Sequence, residues 1–230
     1  HIERYRMDAE LNILLPQNKM KEKECLYLVN YYGQLTDEKI LQYKEKYGNI
    51  IVDHTHAFFQ KPLKGIDTLY SCRKFWGVSD GAYLATDAVL SMDKPLDRSN
   101  KRMEHILGRY EENAGAYYQE MLQNAASYDR MEIRRMSRLT ENLLGAIDYE
   151  AGKNRREENY SILSEELPSE SVFVRVTPEG PFVYPYHHKD GLNLRRWLAE
   201  HRVFVPTYWK NILEECDKNS LEYKWAAEIL

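Results

Sequence analysis

The 230-residue sequence has only three cysteines, Cys25, Cys72 and Cys216, which are odd in number and far apart along the chain. Such a set excludes the disulfide framework that stabilises small secreted domains, and it lacks the paired spacing of a cysteine zinc site. We therefore expect reduced thiols and a cytoplasmic location.

Long apolar runs are also absent. No stretch approaches the ~20 apolar residues that a membrane-spanning helix needs, and the first residues lack the apolar core of a signal peptide. Positive charge is not in excess either, because the formal net charge is -4. The arginine pairs at 134–135, 155–156 and 195–196 are typical of solvated helix faces. These features argue against a membrane or a nucleic acid as the main partner.

Apolar residues are nevertheless plentiful, at 43% of the chain, and they can form the core of one large or two small domains. The most informative stretch is 50–84. It opens with three β-branched residues, Ile50–Val52, which predict a buried parallel strand that ends at Asp53. A second predicted strand, Asp67–Tyr70, leads to Lys74. Ligands of open α/β sheets bind at the carboxyl ends of strands, so we expect the acid and the lysine to share a site.

The preceding residues predict a strand–helix–strand unit. A strand at Cys25–Val29 is followed by a helix that Thr36 caps and Gly48 ends. A crossover of this kind joins parallel strands, so Asn30 and Asp53 should emerge at the same edge of one sheet.

The later part of the chain changes to a helical period. Apolar residues recur every three or four positions from Met103 to Leu122, which predicts one long helix, capped by Asp97 or Ser99, that links two domains through a packed stripe. The remaining predicted elements are helices from about Ser137 and from Tyr149 to Pro168, a hairpin with arms at 172–174 and 182–184, a helix at 192–202 and a strand at 203–205.

The residues around Lys74 resemble a known family. The order of Asp53, His56, the segment YSCRK that ends at Lys74, and the glycine-bearing GVSDGAYLATD is similar to the active-site half of fold type I pyridoxal-phosphate enzymes, in particular the DegT/DnrJ/StrS-type sugar aminotransferases. The resemblance implies that Lys74 holds pyridoxal 5'-phosphate as a Schiff base. It also implies that Asp53 keeps the pyridine nitrogen protonated, so that the ring can act as an electron sink. His56 would pack beside the ring, and Ser71 would help to hold the phosphate.

Three further residues have weaker counterparts in the family. Asn30, in the segment NYYG, corresponds to a polar residue near the phenol oxygen of the cofactor. Tyr208 and Trp209 correspond to a part of the small domain that faces the sugar substrate. For these two aromatic residues, ordinary packing is an open alternative.

The resemblance also implies a fold and an activity. The fold is α/β, with a partial type I aminotransferase-like parallel or mixed sheet and helices in residues 1–130, and a smaller α+β domain in residues 131–230. The activity is amino transfer from glutamate to a keto-sugar carried on a nucleotide, by a homodimer. The family's chain is longer, so we expect this sequence to lack the N-terminal part of the large domain and the C-terminal end.

Two other functions remain open at this stage. A partial or degenerate chain could be an inactive scaffold of the same fold. Alternatively, His54 and His56, with His187 and His188 elsewhere, could bind the metal of a hydrolase. Because no acid or third histidine has motif-like spacing, we predict that no metal is bound.

Overall fold

A computed structural model describes residues 2–15, 20–91, 93–167 and 176–230. The protein is a mixed α/β structure. Its strands are β1 (Arg6–Met7), β2 (Ile13–Leu14), β3 (Leu26–Val29), β4 (Ile50–Asp53), β5 (Asp67–Ser71) and β6 (Ala82–Ala85). Its helices are α1 (Asp37–Tyr47), α2 (Cys72–Phe75), α3 (Glu104–Glu111), α4 (Tyr118–Ser127), α5 (Arg138–Gly145), α6 (Tyr149–Glu166), α7 (Gly191–Glu200), α8 (Lys210–Glu215) and α9 (Leu221–Glu228).

The central sheet has the strand order β3-β4-β5-β6. The pairs β3–β4 and β4–β5 are parallel, whereas β5–β6 is antiparallel. The first two strands, β1 and β2, form a separate antiparallel pair. The predicted parallel unit is therefore confirmed, and Asn30 N donates to Asp53 O at 3.0 Å where the two strands end.

Local signals explain why α1 forms where it does. Thr36 precedes the helix in an extended conformation, and its side chain accepts a hydrogen bond from Lys39 N. Two acids, Asp37 and Glu38, lie in the first turn, where the helix dipole favours negative charge. Gly48 ends the helix with φ +82°, a conformation that glycine adopts at little cost.

The side chains on the two faces of the sheet are buried to different extents. Leu26, Leu28, Ile50 and Val52 point to one face and pack in a buried cluster with residues of α1. The opposite face carries residues such as Ile51, Asp53 and Leu69, which are only half-buried. The acid thus lies on the more open face, because strand residues alternate in direction.

The prediction of one long helix from Met103 to Leu122 is wrong. The helix α3 ends at Glu111, and α4 starts at Tyr118. Between them the side chain of Asn113 accepts a hydrogen bond from Ala116 N at 2.9 Å, which stabilises a turn instead of a helix. The predicted packed stripe is wrong as well. Its member Tyr110 is 89% exposed.

In the last hundred residues the predicted helices are confirmed, but two predicted strands are not. The helices α5, α6 and α7 lie at the predicted places. Residues 182–184 and 203–205 form no strand. The other hairpin arm, 172–174, and Pro168 lie outside the described residues. The division into domains at residue 130 stays a prediction.

In the described ranges, no helix is both long enough and apolar enough to span a membrane.

Candidate functional site

The structure brings the predicted acid and lysine to the ends of neighbouring parallel strands. Asp53 is the last residue of β4, and it lies opposite Leu69 of β5. Two residues after Leu69, β5 ends at Ser71, and the single turn of α2 that follows carries Lys74. Cys72 N donates to Gly81 O at 3.1 Å, which joins the start of this turn to the loop before β6. The polypeptide from β4 to β6 therefore forms one edge of the sheet around these side chains.

The carboxylate of Asp53 is held by two donors. The hydroxyl of Tyr27 donates to Oδ2 at 2.9 Å, and the backbone N of Thr55 donates to Oδ1 at 2.7 Å. Burial, the Asp53 charge and this hydrogen bond raise the pKa of Tyr27, so its hydroxyl keeps its proton. Each carboxylate oxygen has a second lone pair, which leaves room for another cationic or N–H donor on the open face.

Lys74 is an exposed residue whose amine is nevertheless affected by the surrounding protein. Partial desolvation lowers its pKa, the neighbouring charge of Arg73 lowers it further, and Asp53 raises it. Water weakens each of these influences, because the side chain is exposed. The influence of Asp53 places the two groups within electrostatic reach of each other. A lowered pKa makes more of the neutral, nucleophilic amine at a given pH.

His56 lies in a turn after β4 and is buried. Its ring stacks on Phe182 with centroids 4.5 Å apart and an interplanar angle of 23°. Burial and the charge of Lys74 lower its pKa from 6.5 to about 4, so the imidazole is neutral at pH 7. Among the described residues, its buried Nδ1 has no hydrogen-bond partner. A buried nitrogen without a partner is costly, and a bound ligand could satisfy it.

Asn30 is fully buried and engaged with protein groups. Its amide nitrogen contacts Gln60 Oε1 at 2.7 Å, His54 Nδ1 at 3.2 Å and Leu35 O at 3.4 Å. Its oxygen accepts from Leu35 N at 2.8 Å. The structure thus shows Asn30 fixing the chain at the ends of β3 and β4. A direct contact with a cofactor stays a prediction, as does the role of Ser71, whose hydroxyl makes no capping bond to α2.

Tyr208 and Trp209 lie beside His56, far from it in sequence. Each ring centroid is 5.4 Å from that of the imidazole. Both rings also contact Tyr32, at 5.5 and 5.6 Å. Tyr32 and Trp209 have positive φ, at 56° and 50°, which is uncommon for bulky residues and is sustained only by surrounding contacts. The structure therefore joins the predicted substrate-facing pair to the site through His56, and it gives both residues packing partners.

The two histidines that follow β4 do not form a metal site with neighbouring groups. His54 is buried, its Nδ1 faces the Asn30 amide, and burial lowers its pKa to about 4. In the part of the chain that the structure describes, no cluster of three or more His, Cys, Asp or Glu residues is placed to hold a metal ion.

Sequence reasoning missed three residues around the site: Tyr27, which bonds to Asp53, Asp80, and Arg156, whose guanidinium donates to the carbonyl of Phe75 after the Lys74 turn. Asp80 lies in the loop before β6, and it is buried with hydrogen bonds from Ser137 and Thr140. The sequence pattern that could have indicated Asp80 is an acidic residue between Ser79 and Gly81 in the segment GVSDG. Tyr27 and Arg156 carried no local signal, because their partners are distant in sequence.

One cleft lies near the site without including its reactive groups. It has a volume of about 190 Å³, and Leu28, Val29 and Tyr31 contribute to its wall beside β3. Asp53, Ser71 and Lys74 do not line it. In comparisons with known proteins, the chain matches no protein-family model, no curated protein and no solved structure.

Proposed function

We propose that this chain is a pyridoxal-phosphate-dependent aminotransferase-like protein in which Lys74 carries the cofactor. The observation that supports this best is the placement of Asp53 at the end of β4 and of Lys74 in the turn that follows the neighbouring parallel strand β5, within electrostatic reach of each other. A metal hydrolase has no comparable support among the described residues.

The donor set fits this cofactor. Lys74 offers an amine for covalent attachment, Asp53 offers a carboxylate with free lone pairs, and Ser71 offers a hydroxyl beside the lysine turn. His56 offers a neutral ring with a buried nitrogen that lacks a partner among the described residues. When bound, pyridoxal phosphate supplies an electron sink for bonds at the carbon that bears the amine.

The roles of the protein's own groups follow from their chemistry. Asp53, held by Tyr27 and Thr55, fixes a negative charge that can keep a ring nitrogen protonated. Lys74 binds the cofactor and can hold or release a proton at its Nζ once the amine is free. Tyr208 and Trp209 would exclude water from one side and contact the substrate. We infer the substrates from the family resemblance: glutamate and a nucleotide-linked keto-sugar, used by a cytoplasmic homodimer. The three cysteines form no disulfide, which supports the inferred cytoplasmic location.

The test is the site of covalent attachment. Incubation with pyridoxal phosphate, reduction with borohydride and peptide mapping should place the pyridoxyl group on Lys74. The exposed Lys61 and Lys64 are internal controls for unselective labelling of surface amines. Equal labelling of all three lysines would contradict the proposal and favour an inactive scaffold.

A further inference from the structure

Helix α6 packs closely against the turn that carries Lys74. Gly152 and Arg156 are four residues apart and so share one face of this helix. A Cβ atom at Gly152 would lie 2.9 Å from the indole ring of Trp76, which follows α2 directly. The absence of a side chain at Gly152 thus lets the helix approach the Lys74 turn, and it brings Arg156 within reach of the backbone there.

The guanidinium of Arg156 joins two segments that are distant in sequence. Nη2 donates to the carbonyl of Phe75 at 3.1 Å. Nη1 lies 3.3 Å from the carbonyl of Phe182 and 3.4 Å from that of Pro181. The guanidinium also lies over the ring of Phe75, at 4.6 Å from its centroid. The planar fork of arginine suits this task, because it can bond to several acceptors in fixed directions.

Each of the two segments carries a part of the site. Phe75 follows Lys74 directly, so a bond to its carbonyl restrains the end of the lysine turn. Phe182 carries the ring that stacks on His56. Other residues of α6 hold the segment that leads to Phe182. Lys153 pairs with Glu179, and Glu157 accepts a hydrogen bond from Gly180 N at 3.0 Å.

Arg156 is partly buried, and its surroundings differ from those of its exposed neighbour Arg155, which pairs with Glu158. The partners of Arg156 are neutral carbonyls, and within the described ranges no carboxylate pairs with it. Burial lowers its pKa, which means that the surroundings disfavour the charge. The contacts with the Phe75, Pro181 and Phe182 carbonyls offset that cost, and an apolar side chain could not replace them.

We propose that Arg156 is a positioning residue that fixes the Lys74 turn relative to the stack of His56 on Phe182. This inference rests on the proposed function, and it predicts how the reactivity of Lys74 depends on a residue that does not touch the cofactor. Loss of the contacts between the Arg156 guanidinium and these carbonyls lets the Lys74 turn move outward. The amine of Lys74 is then better hydrated and less well placed to bind the cofactor.

The experiment compares Arg156→Met, Arg156→Lys and the matched control Arg155→Met with the wild type. Arg155 is on the same helix but exposed, and its Nη1 pairs with Glu158 three residues later. Competitive labelling with acetic anhydride across a range of pH gives the apparent pKa of Lys74 independently of any cofactor. Labelling with pyridoxal phosphate and borohydride, read by peptide mapping, gives cofactor attachment. Melting temperatures report the fold.

In Arg156→Met we expect the midpoint of Lys74 acetylation to move to higher pH and cofactor attachment to fall by about ten-fold. Arg156→Lys should recover part of both, because a single ammonium cannot bond to both segments in the same geometry. Arg155→Met should match the wild type in all three measurements. The labelling of Lys61 and Lys64 should not change in any variant.

A lower melting temperature with an unchanged Lys74 midpoint and unchanged attachment would overturn the positioning role and leave Arg156 as a purely structural residue. If Arg156→Met does not fold, the acetylation midpoint of Arg156→Lys decides, and a wild-type value there overturns the inference. Wild-type protein that does not attach the cofactor selectively at Lys74 would refute the proposed function instead, and acetylation would still report the effect of Arg156 on the turn.

Discussion

The replacement of Asp80 by alanine should destabilise the protein strongly. Asp80 is 2% exposed. Its carboxylate accepts bonds from Ser137 N at 2.9 Å, from the Ser137 hydroxyl at 3.0 Å and from the Thr140 hydroxyl. The Ser137 hydroxyl also accepts from Thr140 N at 3.1 Å as the N-cap of α5. Since its only proton goes to Asp80, the Ser99 hydroxyl must be the donor in their 2.7 Å contact.

The expected size of the effect follows from the groups left behind. Removal of the carboxylate leaves one N–H and two hydroxyls in a buried space, and each unsatisfied group costs ~1–3 kcal/mol. The hydroxyls can turn to other acceptors, so we expect a total loss of about 3–5 kcal/mol in the free energy of unfolding. Native proteins have only ~5–15 kcal/mol in all, so the melting temperature should fall by about 6–20 °C.

Urea denaturation and thermal melting test this prediction. Asp80→Asn should show an intermediate loss, because the amide keeps the volume but places a donor where the carboxylate had an acceptor. Asp129→Ala is the matched control, since that carboxylate is exposed, and its effect should stay within about 0.5 kcal/mol. A loss below ~1 kcal/mol for Asp80→Ala would show that the network does not hold the loop as the hydrogen bonds imply.

Three further predictions concern the site and its frame. Asp53→Asn should fold normally, because Tyr27 can still bond to the amide, and it should lose amino transfer from glutamate by orders of magnitude at ~1.4 kcal/mol per factor of ten. Rate and melting temperature are measured together, and full activity in a folded variant would contradict the role of Asp53. Burial lowers the pKa of both His54 and His56 from 6.5 to about 4, so the unfolded chain binds protons more tightly. The contribution of these neutral histidines to the free energy of unfolding should be fully present above pH 6.5. It should fall by about 2–3 kcal/mol per histidine as the pH is lowered to 4, and the free energy of unfolding should depend less steeply on pH in His56→Phe. Gly191→Ala should cost ~1–3 kcal/mol, because the new Cβ would lie 2.4 Å from the backbone oxygen of Ala227; a neutral effect on urea denaturation would show that α9 can shift.

The elements that sequence predicted well are those fixed by local chemistry. The helix α1 has its cap and its terminal glycine within the segment itself, and β4 is recognisable from three consecutive β-branched residues. The parallel pairing of β3 and β4 follows from the short helical crossover between them. The juxtaposition of Asp53 with the Lys74 turn depends on the parallel register of β4 and β5. It was predicted from the rule that ligands bind at the carboxyl ends of strands.

The elements that sequence predicted badly depend on partners elsewhere in the chain. Residues 182–184 and 203–205 have strand-like composition, but a strand exists only where another strand pairs with it, and none does among the described residues. The helix predicted through residue 112 breaks because Asn113 forms its own turn, a local signal that the apolar period outweighed. Arg156 was counted as a solvated arginine, since nothing nearby in sequence shows that the Phe75 and Phe182 carbonyls meet it.

The charge states of His56 and Lys74 explain why the site tolerates a lysine beside a buried histidine. A protonated His56 and a protonated Lys74 would repel each other, and burial adds a further cost to the imidazolium. The histidine therefore gives up its proton, and its neutral ring can stack on Phe182. The charge of Lys74 is instead opposed by Asp53 on the same edge of the sheet, which raises the pKa that desolvation and Arg73 lower. Acidification would return a charge to His56 at about pH 4 and would weaken its stack on Phe182. The amine of Lys74 thus has a neutral imidazole as its neighbour at pH 7, and the carboxylate of Asp53 is the charge that balances it.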